Sequence, residues 1–423
     1  MSAKIKIILL VYACLSISHL IIVAQTIDQS AYAKLKYIKR KINTIENDSI
    51  ALQSFYEKLY RLDKHEQQRV SIVHIGDSHL QADVFSGAVR QKIQLRFGNA
   101  GRGLIFPYRV AKSNEPHSYK TTSNNSSWDS KRNSILTKSL PIGISGFTIE
   151  TADTSAKINL MVKDQPGLGY AFTKFSLFHD KGKNNFDLTV CDENNCERAI
   201  FNSSNSNVDP FVSKISFDSP VRQIVLRSEK KDSSEKKSTR IYGILLENDS
   251  SGVLYNMVGA NGAEFRHYNM SKYFMEQLPY LNPDLVIVSL GTNDAYPARF
   301  NSTAFYNHID TLISNIKRTN PNACVLFTTP PDSYRKARRG KVKNPNMKSA
   351  RMVMIKYCLQ HNLAYWDLYE IMGGYGSMAK WYSSGLAAKD HVHFTGKGYL
   401  IQGDLFYRAL MKGYDDYVRQ HTP

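Results

Sequence analysis

The chain has 423 residues, 42% of them apolar and 22% charged, and this length implies two domains or one domain carrying an insertion. That composition is too apolar for a disordered chain, and 24 Gly with 14 Pro exclude a collagen-like or low-complexity protein. Lys and Arg number 55 against 37 Asp and Glu, a formal +18, which points to an anionic partner and says nothing of fold.

Residues 1–24 read as a secretory signal. Lys4 and Lys6 precede a mostly apolar run over 7–23 that Ser16, Ser18 and His19 interrupt, and Val23-Ala24 offers a small-residue cleavage site before Gln25. The competing reading is a retained membrane anchor, for which the run is short and too often interrupted. Tyr12 suits a lipoprotein box around Cys14 poorly. An exported chain belongs in the periplasm or cell envelope, where nucleic acid is not a partner. There the positive charge suits a wall polymer or peripheral contact with an anionic envelope surface.

Four cysteines follow the signal. Cys191 and Cys196 flank a polar loop between two β-like runs, a spacing that suits a hairpin disulfide in an oxidising compartment, with a pair of free thiols as the competing reading. Cys324 and Cys358 lie within apolar patterns and are expected to be buried. No His/Cys cluster has zinc-ligand spacing.

In chain order, 25–67 forms a helical segment, with Leu52, Phe55, Leu59 and Leu62 on one stripe. An apolar β-type run over 70–75 ends in Gly76-Asp77-Ser78-His79 and leads into a helix over 84–97. This first α/β part is taken as 68–105. Between 106 and 249 the texture changes to short alternating runs at 146–150, 157–162, 171–179, 186–190, 215–217 and 223–226, separated by turn residues. That spacing predicts an all-β insertion, a sandwich or jelly roll. From 250 to 423 α/β alternation returns, with strands at 253–258, 285–290, 324–328 and 364–367. The helices between them lie at 271–278, 305–318 and 348–360, and a last one follows Thr395 as cap. The basic run over 335–343 reads as a loop. Alternation of this kind predicts a doubly wound parallel sheet whose active site lies at the carboxyl ends of the strands.

The residues with chemistry sit at those ends. Ser78 closes the first strand. A serine hydroxyl needs a base to take its proton, and the base is a His oriented by a third group. Asp390-His391-Val392-His393 supplies both near the far end of the chain. An Asp three residues ahead of a His can curl back to its imidazole, which favours His393 over His391. Acyl transfer also needs donors for an oxyanion. Gly262, in Gly259-Ala260-Asn261-Gly262, and Asn293, in Gly291-Thr292-Asn293-Asp294, close two further strands, so that Ser78, Gly262 and Asn293 can converge as three donors.

These four blocks together resemble the SGNH (GDSL-type) hydrolase family, over roughly 68–103 and 250–415. The resemblance implies an SGNH-type three-layer α/β fold, with Ser78 as nucleophile, His393 as base, Asp390 as its orienter, and Ser78, Gly262 and Asn293 as the oxyanion hole. His79, in place of the aliphatic residue usual after Gly-Asp-Ser, and the β-rich interruption look like the bacterial peptidoglycan O-acetylesterase branch, where the insertion is carbohydrate-module-like. The run through Met372-Gly373-Gly374 and Trp381 to His393-Phe394-Thr395 looks like that branch as well. His79 and Trp381 are expected to bind substrate, Trp381 by stacking on a sugar face, with core packing under the final helix as the competing reading of Trp381. The expectation is an exported serine esterase that removes acetyl groups from a glycan, most plainly peptidoglycan, without a cofactor. A lipase or thioesterase of longer acyl chains, and a glycan-binding envelope protein without catalysis, are the competing readings. Oligomeric state is not legible in the sequence.

Overall fold

The apolar run ahead of Gly76 is buried at every position from Val70 onward, as expected of a strand covered on both faces. It is the central strand of a sheet in the computed structural model, which describes residues 34–66, 69–124, 126–137, 139–194, 196–203, 209–229 and 237–421. The expected signal at 1–24 lies outside these residues. The chain divides into a unit Met1–Ile38, described only over 34–38, and a unit Lys39–Pro423 that holds the whole α/β and β fold. Among the described residues no helix is long and apolar enough to cross a membrane.

The first α/β part contains β1 (Ile45–Glu46), α1 (Gln53–Asp63), β2 (Arg69–Gly76), α2 (Ser78–Gln81) and α3 (Phe85–Phe97). Leu52, Phe55, Leu59 and Leu62 are all buried, as the stripe predicts. The β segment then runs through β3 (Gly103–Ile105), β4 (Tyr119–Ser123), β5 (Asp129–Arg132), β6 (Phe147–Thr151), β7 (Lys157–Val162) and β8 (Phe172–His179). It continues through β9 (Asp187–Cys191), β10 (Glu197–Phe201), β11 (Val212–Val221), β12 (Gln223–Glu229) and β13 (Thr239–Glu247). The α/β pattern resumes with β14 (Gly252–Gly259), α4 (Phe265–Asn269), β15 (Leu285–Ser289), α5 (Ser302–Thr319), β16 (Cys324–Thr328), β17 (Tyr334–Ala337) and β18 (Gly340–Lys343). It ends with α6 (Asn346–Gln360), β19 (Ala364–Trp366), α7 (Ser377–Ser383) and α8 (Gly396–His421).

The main sheet has the order β1-β19-β16-β15-β2-β14, parallel throughout except for β1 at one edge. Helices α1, α3 and α8 pack together, and α4, α5 and α6 form a separate group, so the sheet lies between two helical layers. Counting only its parallel strands along the chain, the order is doubly wound, and it reverses between β2 and β15. That reversal point is where an open α/β sheet leaves a crevice beyond its carboxyl ends. Ser78 follows β2 and Asn293 follows β15, one on each side of it.

The insertion is an antiparallel sandwich of two sheets, β10-β9-β12-β7-β4 and β11-β8-β13-β6-β5. Their inner faces meet where Phe201 of β10 stacks on Phe175 and His179 of β8, at ring separations of 6.2 and 6.4 Å. The second sheet also takes in β3, which pairs with β13, so the antiparallel part begins at Gly103 rather than 106. Entry and exit run side by side: Ala100 N–H donates to Val253 O and Asn248 N–H to Ala100 O. A buried ion cluster clamps that junction. Asp83 binds Arg90 of α3 at 2.6 Å and Arg102, just ahead of β3, at 2.8 Å, with all three side chains at most 3% exposed. Burial pushes the Asp83 carboxyl up, but the two guanidinium groups outweigh it and hold it below the usual range.

The expected Cys191–Cys196 disulfide is not formed; both are free thiols, Cys191 buried and Cys196 exposed. Cys191 pairs with Glu197 in the β9–β10 ladder, so Cys196, one residue earlier, projects from the opposite face of the strand. Cys324 and Cys358 are buried as expected.

Asp83→Asn keeps a residue that tolerates the left-handed backbone at φ 54° but leaves two buried guanidinium groups without their shared partner. Urea unfolding is expected to show a loss of about 3–5 kcal/mol; a loss below 1 kcal/mol would mean that water reaches the cluster.

Candidate active site

Ser78 opens the short helix α2, so its backbone N–H has no intrahelical acceptor. Asp77 caps that turn, its Oδ1 accepting from His79 N–H at 2.9 Å. The turn lies flat against the sheet only because Gly259, paired with Gly76, has no side chain: a Cβ there would come within 2.7 Å of the Gln81 backbone nitrogen. At the other end of the chain, Asp390 makes a tight turn in which its Oδ1 accepts from the N–H groups of Val392 and His393, each at 2.9 Å. Its Oδ2 lies 2.7 Å from His393 Nδ1. His393 Nε2 lies 2.8 Å from Ser78 Oγ, across 315 positions of sequence.

These distances settle the tautomer. A carboxylate can only accept, so Nδ1 carries the proton and Nε2 is free to accept from the serine hydroxyl. Burial pushes Asp390 up, yet the hydrogen bonds from His393 and the Val392 N–H prevail and hold it down at about 2. It is ionised throughout the neutral range. Both side chains are open to solvent, His393 39% and Asp390 47% exposed.

His391 sits differently. Its backbone is left-handed, with φ 61°, and its ring lies between those of Tyr334 and Tyr382 at 4.8 and 4.4 Å. Among the described residues it is His393 that hydrogen-bonds Ser78.

The three expected donors belong to one hydrogen-bonded knot. Gln81, on the Ser78 turn, accepts from Asn261 N–H at 2.9 Å. Gly262 follows in left-handed backbone, φ 78°, and its N–H has no acceptor among the described residues. Asn293 Nδ2 donates to Ala263 O at 3.0 Å and lies 3.2 Å from Asp77 Oδ2. Its amide therefore stands between the glycine loop and the residue preceding Ser78. Gln81 and Asp77 are the members of this knot that a search for reactive groups passes over; their signal is position, flanking Ser78 by three and one residues.

The two expected sugar contacts part company. Trp381 is wholly buried; its Nε1 donates to Met372 O at 2.9 Å and its ring packs edge-on against Phe394 at 5.2 Å. It is a core residue beneath the His393 loop and cannot stack on a sugar. His79 lies beside His393, rings 5.3 Å apart, with Nδ1 2.9 Å from Tyr399 OH. Burial, and then the neighbouring His393, push it down to about 3, so it is a neutral imidazole.

The β insertion reaches this site, a contact that no periodicity announces. Ser134, just past β5, donates to Asn261 O at 2.7 Å and accepts from Arg132 Nε at 3.0 Å. Farther along, Ser113 accepts from Gln81 Nε2 at 2.5 Å and helps line an open depression of about 620 Å³ with Arg109, Lys112 and Trp128.

Residues 232–401 match the model of the GDSL-like Lipase/Acylhydrolase family. That stretch holds Gly262, Asn293, Asp390 and His393; Ser78 lies outside it and is joined to them by the geometry above. A solved peptidoglycan O-acetylesterase superposes with a TM-score of 0.72 at 22% identity, covering 86% of this chain and 96% of the other. An acetyl xylan esterase shares 17% identity with a TM-score of 0.31, over 37% of this chain and 81% of its own. A lipase/acylhydrolase from Enterococcus faecalis shares 21% identity with a TM-score of 0.29, over 38% and 77%. No curated protein matches the chain in sequence. The match over 232–401 and the superposition together show an SGNH-type hydrolase fold. The likeness to the peptidoglycan O-acetylesterase extends over both the α/β sheet and the inserted sandwich.

Trp381→Ala is expected to lower stability by about 3–5 kcal/mol in denaturant unfolding; a stacking residue would instead raise KM on glycan with stability intact. Asp77 yields a pH dependence. An ordinary carboxyl loses its proton near pH 4, whereas burial pushes Asp77 up to about 7 against the pull of its His79 hydrogen bond. Between those values the folded chain holds a proton that the unfolded chain has released, so this group's stabilisation is present at low pH and is lost as pH rises through about 7. Asp77→Asn keeps the cap and removes the charge. Its melting temperature relative to wild type should therefore be higher at pH 8 than at pH 5, and an equal difference at both would mean that Asp77 stays ionised throughout.

Proposed function

We propose that the chain is an exported serine esterase that removes O-acetyl groups from a carbohydrate polymer, most plainly peptidoglycan, through an acyl-enzyme on Ser78. The observation that carries the reading is the continuous Ser78–His393–Asp390 relay at 2.8 and 2.7 Å. His393 Nε2 takes the proton as Ser78 Oγ attacks the acetyl carbonyl, and Asp390 stabilises the imidazolium that forms. The Ser78 and Gly262 N–H groups hold the oxyanion, and the Asn293 amide joins them by exchanging one of its present acceptors, Asp77 Oδ2 or Ala263 O, for it. His393 then returns the proton to the departing sugar oxygen. Water, activated in the same way, releases acetate and restores Ser78.

Support for a glycan substrate comes from three sides. The fold and its insertion are shared with a peptidoglycan O-acetylesterase. The insertion contributes Ser134 to the rim of the glycine loop. The depression around Trp128 is lined by hydroxyls, an indole and two cations, groups that suit a sugar chain and support a carbohydrate-binding role for the sandwich. Export rests on the pattern of residues 1–24 and on the +18 charge, which suits an anionic envelope.

Ser78→Ala should lower turnover of an activated acetate ester by at least about 10³-fold, with circular dichroism unchanged. Turnover near wild type would remove Ser78 from the mechanism. The wild-type enzyme should release acetate from O-acetylated peptidoglycan and prefer acetyl to acyl chains beyond about six carbons. The opposite preference would make it a lipase or thioesterase, and inertness toward every ester combined with glycan binding would make it a binding protein.

A further inference from the structure

The basic run that reads as a loop folds as the hairpin β17–β18, a two-stranded sheet of its own. Residues 333–343 carry six cations (Arg335, Lys336, Arg338, Arg339, Lys341 and Lys343) and no carboxylate. None of the six forms an ion pair among the described residues. Arg338 and Arg339 make the exposed tip, closed by the Ala337–Gly340 pair. Lys336 stands directly opposite Lys341 in the ladder, a like-charge pair that opposes the hairpin's own folding. An anion lying along the hairpin relieves that repulsion.

The hairpin's root is fastened to the active-site loop. Tyr334 N–H donates to His391 O at 2.9 Å, and the Tyr334 ring packs on the His391 ring. Lys341 Nζ donates to Lys389 O. Both anchors fall within four residues of His393. Neighbouring cations on the ladder stand closer together than the Debye length of about 8 Å at physiological salt, so their fields overlap along strands about 13 Å long. They raise the local concentration of a polyanion beside Ser78 and speed its encounter.

We propose that this hairpin is the docking arm for the acid groups of the substrate, which is an acetylated polysaccharide bearing carboxylates on its sugars or on peptides attached to them. The proposal rests on the glycan-esterase reading above and adds that neutral acetylated glycans are poor substrates. Capture occurs at the edge of the loop that carries Asp390 and His393, so it delivers acetyl esters to the relay without altering the relay's chemistry.

The test compares wild type with Arg338→Glu/Arg339→Glu on three polymers: O-acetylated peptidoglycan, acetylated glucuronoxylan and neutral acetylated mannan. At low salt the charge reversal should lower kcat/KM by about tenfold or more on an acidic polymer and leave mannan within twofold. A fall on peptidoglycan alone assigns peptide carboxylates, and a fall on glucuronoxylan as well assigns carboxylates generally. Wild type should lose the same advantage on acidic polymers as NaCl rises from 20 to about 500 mM, an effect that needs no variant to fold. Turnover of a neutral acetate ester reports on the relay throughout. Co-sedimentation of Ser78→Ala with insoluble polymer, with and without the tip reversal, reads docking when no acetate is released. Acetate release from no polymer would defeat the glycan-esterase reading while leaving docking measurable. Equal turnover and equal sedimentation of the two tip forms at every salt would overturn the docking arm. So would a tip effect confined to anionic phospholipid vesicles, which would mark the hairpin as a membrane contact.

Discussion

His393 has one proton to place and two neighbours to satisfy. Asp390 can only accept, so the proton sits on Nδ1 and the lone pair of Nε2 faces Ser78. The chain must therefore bring two segments 315 residues apart into hydrogen-bond contact and keep them there. The parallel sheet does most of this work. Its winding reverses between β2 and β15, so the ends of neighbouring strands open onto one crevice, and the turns after β2, β14 and β15 enter it together.

The turns are held in register by polar side chains rather than by the sheet alone. Asp77, Gln81 and Asn293 link the serine turn to the loop 259–263 through bonds of 2.9 to 3.2 Å. The arrangement opposes a buried carboxyl to a site that needs fixed dipoles. Asp77 is pushed up to about 7 because burial disfavours its charge, and it stays in place because it caps the serine turn and receives the Asn293 amide. A group that weakens the fold above neutral pH is thus the same group that positions one of the oxyanion donors.

Charge divides the molecule in another way. Inside, Asp83 neutralises Arg90 and Arg102 and locks the sandwich to the nucleophile side of the sheet. Outside, the cations of hairpin β17–β18 form no ion pair among the described residues and stand next to the loop 389–393. The first pattern makes a rigid junction in low dielectric, where an unpaired charge is not tolerated. The second is stable only because water screens it, and it is available to a polyanion for that reason. The sandwich and the hairpin approach the site from different sides, the sandwich through Ser134 at the glycine loop and the hairpin through Tyr334 at the histidine loop.

The four blocks, their chemistry and the interruption between them were legible from residue types alone, because strand-end glycines, a serine ahead of a helix and an Asp three residues before a His are local patterns. The burial of β2 on both faces and the helical stripe at 52–62 were legible for the same reason: periodicity is a property of neighbouring residues. What depended on packing was not. Trp381 and a sugar-stacking tryptophan look alike in sequence, and only the position of α7 beneath Phe394 buries it. Cys191 and Cys196 have hairpin spacing, and only the ladder register, with Glu197 opposite Cys191, turns their side chains to opposite faces. The reach of Ser134 to Asn261 and the anchoring of a basic run beside the relay were likewise decided by tertiary structure. Each is a contact between residues distant along the chain, and the free energy that selects such contacts belongs to the folded whole and to no single segment.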